Sequence, residues 1–168
     1  MDKGTIQVIC GPGNGKTTAA IGKGLRAITQ QKSVIMIQFL KGNQEAQETE
    51  IFKRLEPEMK VFRFEKSSAF FEELSEEEKQ EELMNIRNGL NFAKKVLSTD
   101  GCDLLILDEV LGILDQKIIT IDEFKKILDA RDEYTDVILT GQVFPKELES
   151  YVDCIAKIEN VKVDKTIQ

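Results

Sequence analysis

Gly11-Pro12-Gly13-Asn14-Gly15-Lys16-Thr17-Thr18 stands between an apolar run, Thr5 to Cys10, and a helix-like stretch, Ala19 to Ile28. Strand, glycine loop, Gly-Lys-Thr and helix form the setting that a phosphate-binding P-loop requires. Glycines let the backbone curl so that successive N–H groups face phosphate oxygens. The N-terminus of the following helix adds partial positive charge, and Lys16 adds a full one. The Thr17 hydroxyl suits a Mg²⁺ (or Mn²⁺) ion carried in with a nucleotide. A glycine-rich turn with no function has no need of Gly-Lys-Thr in register, so Gly11 to Thr18 is read as a nucleotide-binding loop. One position departs from the common G-x-x-x-x-G-K-[ST] pattern. Its first glycine falls on Cys10, which leaves a loop tighter by one residue.

Outward from the loop, Val34 to Phe39 is a continuous β-rich run suited to a strand covered on both faces. Gln44 to Leu55 reads as a polar helix ending before Pro57, and Lys60 to Phe64 as a third, shorter strand. Ser75 and Glu78 form a capping box for a helix running to about Leu97. Leu83, Ile86, Leu90, Ala93 and Leu97 recur along it at helical spacing. The acidic run that opens this helix favours the macrodipole and is read as a solvated face, not a metal site. Cys102 to Glu109 is a buried strand ending in two carboxylates. Thr120 and Glu123 make a second capping box, with Ile121, Phe124, Ile127 and Leu128 facing inward. Asp136 to Thr140 is a strand ended by Gly141, and Pro145 opens a short helix to about Tyr151. Cys154 to Ile158 is a last strand before a polar tail. Strands alternate with helices throughout. That predicts an α/β fold with a mostly parallel sheet of about six strands, helices on both faces and a P-loop NTPase (RecA-like) architecture. Without repeats or a composition break, residues 1–168 are expected to form a single domain.

The 168 residues, 41% of them hydrophobic, suffice to bury a core. A net charge of −7 argues against nucleic acid as the main partner. There is no histidine, which excludes an imidazole base or a histidine metal ligand. Cys10, Cys102 and Cys154 lack C-x-x-C spacing and are expected to be reduced thiols. No apolar run approaches membrane-spanning length and no signal-like segment precedes the first strand, so a cytoplasmic protein with no membrane partner is expected.

Leu104-Leu105-Ile106-Leu107-Asp108-Glu109 is a Walker B pattern, which puts a carboxylate at the carboxyl edge of the sheet beside the P-loop. Asp108 is placed to hold the metal, through water, and Glu109 to position water, contact the nucleotide or orient Thr17. Lys16, Thr17, Asp108 and Glu109 are therefore the candidate catalytic residues, with Thr17 and Asp108 as the metal pair. Nucleotide hydrolysis, phosphoryl transfer and chemistry elsewhere on the nucleotide all fit such a pair. No Asn-Lys-x-Asp is present to read guanine. The loop also resembles that of adenylate-type kinases, but these need several arginines around the transferred group. Here the whole chain has only Arg26, Arg54, Arg63, Arg87 and Arg131, with no arginine-rich lid.

Over most of its length the chain resembles the P-loop class of cob(I)alamin (corrinoid) adenosyltransferases. The resemblance is carried by the short G-x-G-x-G-K-T-T loop, by Gly22 and Arg26-Ala27, and by Gln38-Phe39-Leu40-Lys41-Gly42. Leu107-Asp108-Glu109, Arg131 and Thr140-Gly141 complete it. The family's usual Thr-Gly-Arg is Thr-Gly-Gln here, at Gln142. Lys162 matches the lysine of its Lys-His segment without the histidine.

The resemblance implies transfer of the 5′-deoxyadenosyl group of ATP to the Co(I) centre of cobalamin or a precursor, with release of triphosphate. It implies ATP and reduced corrinoid as substrates, Mg²⁺ as cofactor, a flavodoxin-type reductase as electron donor, and a homodimer. Gln38 and Lys41, with Glu45 or Glu48, become candidates for the sugar and base side of the nucleotide. Phe70 and Phe71 become candidates for packing on the corrin. A P-loop small-molecule kinase and a non-catalytic nucleotide- or corrinoid-binding relative remain as alternatives.

Overall fold

The computed structural model describes residues 2–40, 46–64 and 71–165, without the side chains of 46–48 and 71. Six strands alternate with helices as the apolar runs require: β1 (Ile6–Cys10), β2 (Val34–Gln38), β3 (Met59–Arg63), β4 (Leu104–Asp108), β5 (Asp136–Thr140) and β6 (Cys154–Lys157). They form one sheet in the order β3-β2-β4-β5-β1-β6, and every pairing is parallel. The α/β architecture follows the sequence expectation, and all strands deliver their carboxyl ends to the same edge. Ligands bind along that edge in open parallel sheets.

Helix α1 (Lys16–Thr29) covers one face, burying Ala20, Gly24 and Ala27. These small side chains bring the helix close to the sheet. A Cβ on Gly24 would sit 3.4 Å from Ile106 and 3.5 Å from Met59 and Val34. The other face carries α3 (Glu76–Ser98), α4 (Val110–Asp115) and α5 (Ile121–Asp129), which share a larger core with the sheet. Between β2 and β3 lies α2 (Ala46–Lys53), which ends two residues before the expected Leu55. The central strand β4 is buried at all five positions, so both faces must be apolar, as its sequence is.

Helix ends follow local chemistry. At α3 the capping box is reciprocal: Ser75 Oγ accepts from the Glu78 N–H, and the Glu78 carboxylate accepts from the Ser75 N–H. At α5 the Thr120 side chain accepts from the Glu123 N–H, but the Glu123 carboxylate lies 3.6 Å from Arg87. The expected box there is present only in its side-chain half. Glu76, Glu77, Glu78 and Glu81 are exposed as anticipated, whereas Glu82 is buried at 6% exposure. No cluster of three or more acidic or cysteine side chains suited to a metal occurs among the described residues. The Pro145 segment forms the expected short helix, a 3-10 helix over Lys146–Tyr151. All three cysteines are free. No helix among the described residues is long and apolar enough to cross a membrane.

Candidate active site

Strand β1 runs through Cys10, where the common motif has glycine, and the chain turns one residue later. Cys10 is a buried strand residue whose carbonyl accepts the Ile158 N–H at 2.8 Å. Gly11 takes over the turn at φ +108°, a torsion that side chains resist. It is also pressed against the chain leaving β6, since a Cβ there would stand 2.5 Å from the Ile158 carbonyl oxygen. At Gly15 the reason differs. There is nothing within 4 Å of a Cβ, but φ is +98°, so the left-handed backbone that launches α1 makes the demand.

The loop amides divide into two sets. Gly11 N–H donates to the Gln142 carbonyl at 2.9 Å and Gly13 N–H to the Ile158 carbonyl at 2.8 Å. Asn14 N–H donates to Asn160 Oδ1 at 3.3 Å. These three hold the loop against its walls, which corrects the expectation that successive loop amides all face phosphate. The first helical bond is Ala19 N–H to Gly15 O at 2.8 Å. The amides of Lys16, Thr17 and Thr18 lie ahead of it, where a helix has no internal acceptors to offer and an anion is favoured. Lys16 folds back so that Nζ donates to Gly13 O at 2.6 Å. The contact at position 142 is made by backbone, so glutamine in place of the family's arginine leaves it intact.

Asp108, fully buried, is the hub. Its Oδ1 accepts from Thr17 Oγ1 at 2.9 Å and from Thr140 Oγ1 at 2.7 Å. Its Oδ2 lies 3.2 Å from Thr17 Oγ1 and accepts from Gln38 Nε2 at 3.3 Å. A buried carboxylate is tolerated only with such partners. Thr17 and Asp108, expected to hold one metal ion between them, here meet directly, hydroxyl to carboxylate, across the ends of α1 and β4. The donor set is one hydroxyl and one carboxylate. That fits Mg²⁺, which keeps water and phosphate oxygens and takes few protein ligands.

Glu109 diverges from its neighbour. Its left-handed backbone (φ 63°) caps α4, its N–H donates to Thr140 Oγ1 at 2.9 Å, and its Oε2 lies over Gly112. The carboxylate meeting Thr17 is therefore that of Asp108. Lys41, Gly42, Glu45 and Phe70 lie outside the described residues, as do the side chains of Glu48 and Phe71. Phe92 packs on Phe62 and Phe64, with ring centroids 4.9 and 5.9 Å away. Arg131 sits at the opposite edge of the sheet, donating to the Thr135 carbonyl at 2.8 Å.

Thr140, Arg63, Ile158 and Asn160 were not among the residues singled out for the site. The available signal was a polar residue closing an apolar strand, as Thr140 and Arg63 do. Burial pushes the Cys10 thiol up from its ordinary value, and the ammonium groups of Lys157 and Lys16 pull it partly back. Of these two cations, Lys157 is already paired with Glu159 at 2.7 Å, and Lys16 lies within the loop itself.

The model for the family described as ATP:corrinoid adenosyltransferase BtuR/CobO/CobP matches residues 2–166. The corrinoid adenosyltransferase of Escherichia coli K12 is 27% identical over 96% of this chain and 79% of its own. Corrinoid adenosyltransferase CobA of Salmonella typhimurium is 28% identical over the same shares. Among solved structures, the KaiC-like protein PH0186 of Pyrococcus horikoshii superposes with a TM-score of 0.57 at 13% identity. That likeness covers 97% of this chain and 76% of the other, and it bears on the fold alone. With nearly the whole chain matched and the P-loop joined to the second motif through Thr17 and Asp108, the protein belongs to the ATP:corrinoid adenosyltransferase family.

Proposed function

We propose that the protein transfers the 5′-deoxyadenosyl group of ATP to the Co(I) centre of a corrinoid. The observation that carries this reading is the contact between Thr17 and Asp108 at the head of a P-loop helix, in a chain of this family. Co(I) is a strong nucleophile and needs no protein base, which suits a chain without histidine. The cobalt electron pair forms the bond to C5′ of the ribose, the C5′–O bond breaks, and its electrons leave with the triphosphate. The protein's task is to align the two reactants and to stabilise charge on the leaving group. Lys16 swings from Gly13 O to the triphosphate, and the amides of Lys16, Thr17 and Thr18 receive its oxygens. Mg²⁺ held by Thr17 and Asp108 would add positive charge to the same group. The corrin falls to Phe70 and Phe71, and the sugar side of ATP to Lys41, both by family resemblance. Gln38, expected there with Lys41, is instead 1% exposed, with both ends of its amide engaged by Arg63 and Asp108.

Incubation with ATP, Mg²⁺ and chemically reduced corrinoid tests the reaction. Triphosphate together with a cobalt–carbon absorbance band is the expected outcome, and ADP would overturn it in favour of phosphoryl transfer. Lys16→Ala should lower turnover by on the order of 10²–10³ without changing the melting temperature, as loss of one well-placed donor does. Wild-type rates from that variant would remove the P-loop from the chemistry.

A further inference from the structure

The carboxyl ends of three neighbouring strands place one polar residue each in a single row. Arg63 of β3 is in register with Gln38 of β2, and Gln38 with Asp108 of β4. The row is joined by hydrogen bonds. Arg63 donates to Gln38 Oε1 from Nε at 3.2 Å and from a terminal nitrogen at 3.4 Å. Gln38 in turn donates from Nε2 to Asp108 Oδ2 at 3.3 Å. Gln38 is 1% exposed and Asp108 is 0% exposed, so this part of the row is closed to water.

A glutamine amide has two unlike ends. With Oε1 towards the guanidinium and Nε2 towards the carboxylate, both contacts are favourable. Turned over, it would set donor against donor at Arg63 and acceptor against acceptor at Asp108. The arginine therefore decides which way the amide points, and the amide decides that Asp108 Oδ2 is held by a donor. The intervening amide is neutral and keeps the guanidinium off the carboxylate. A direct ion pair would neutralise Asp108 and compete with a bound cation. The relay orients the carboxylate while leaving its charge for the ion.

We infer that Arg63 is a positioning residue for the metal–nucleotide site, acting on Asp108 through the Gln38 amide. The inference rests on the proposed role of Thr17 and Asp108 in holding Mg²⁺ with ATP, and it is independent of the corrinoid step. Partners that orient a metal ligand typically change metal affinity by 10- to 100-fold when removed.

Calorimetric ATP binding by the full chain, with Mg²⁺ varied, tests it. Arg63→Met should raise the Mg²⁺ concentration for half-maximal effect by on the order of tenfold, while ATP affinity without Mg²⁺ stays at the wild-type value. Arg63→Glu should shift it further, because a carboxylate there attracts Nε2 and turns Oε1 onto Asp108. In a Gln38→Leu background, Arg63→Met should add nothing. Arg63→Lys, which keeps a cation but gives up the fork of donors, should fall between wild type and Arg63→Met, and it serves in place of Arg63→Met if that variant melts below the assay temperature. Additive penalties in the double variant would overturn the inference. So would equal losses with and without Mg²⁺, or wild-type binding that ignores Mg²⁺. Mg²⁺-dependent ATP binding with no triphosphate released would leave the inference standing and overturn the proposed reaction.

Discussion

The two edges of the sheet use carboxylates in opposite ways. At the amino edge, aspartates tie down backbone. Asp136 accepts from the Thr5 N–H at 2.7 Å, Asp103 from the Ser33 N–H at 2.7 Å, and Asp153 from the Ile6 N–H at 2.8 Å. Each fixes the entry of a strand whose amide would otherwise lack a partner. At the carboxyl edge, Asp108 is met by the side chains of Thr17, Thr140 and Gln38. Hydroxyls can rotate and exchange partners at little cost, whereas a strand-entry amide cannot leave its acceptor without loosening the sheet. The amino edge is therefore built for stability and the carboxyl edge for exchange with a ligand.

Asp108→Asn is the hardest test of that contrast. It keeps the shape and one acceptor but removes the charge, so adenosylation at limiting Mg²⁺ should fall by on the order of a hundredfold. The melting temperature should hold or rise, because a buried charge is expensive to keep. A large loss of stability without loss of turnover would mean that Asp108 is another structural carboxylate. Asp136→Ala should do the reverse. Removing the acceptor of the Thr5 N–H should cost about 1–3 kcal/mol, read as a lower urea midpoint. Turnover per folded molecule should stay at the wild-type level, and a fall in turnover at full occupancy of the fold would couple the two edges.

How much of this was legible in the sequence differs by edge as well. The central strands β1, β2, β4 and β5 were, because parallel strands covered on both faces are continuous apolar runs. The edge strands β3 and β6, the latter exposed at all four positions, were read from shorter runs. The two motifs suggested that Thr17 and Asp108 share one site, but not that they hydrogen-bond to each other directly. The row of Arg63, Gln38 and Asp108 could not be read, because it depends on strand order, which local pattern does not encode. Nor could the grip of Ile158 and Asn160 on the loop, made across more than a hundred residues of chain. Helix α4 was missed for a different reason. Val110 to Asp115 continues the apolar character of β4, and the break between them is a left-handed turn at Glu109 (φ 63°), a torsion for which glutamate gives no local sign. The tight loop was read correctly as unusual, but its cause, a strand extended through Cys10, needed the pairing of β1 with β6.

The smallest expected effect also lies at the amino edge, at Asp132. Burial works to raise its carboxyl, but hydrogen bonds from the Thr135 hydroxyl and the Tyr134 and Thr135 amides, with Arg131 beside it, outweigh burial and hold it below its ordinary value of 3.8. The folded state then binds this proton less readily than the unfolded state. Its contribution to stability is present in full above the unfolded value and is lost as pH falls through the lower folded one. Asp132→Asn should flatten the acid limb of the stability curve below about pH 4, while Asp132→Ala should lower stability at neutral pH as well. Urea unfolding of both variants from neutral to acid pH separates the two. An unchanged acid limb in Asp132→Asn would show that other carboxylates set acid stability, and that this aspartate holds its turn by geometry alone.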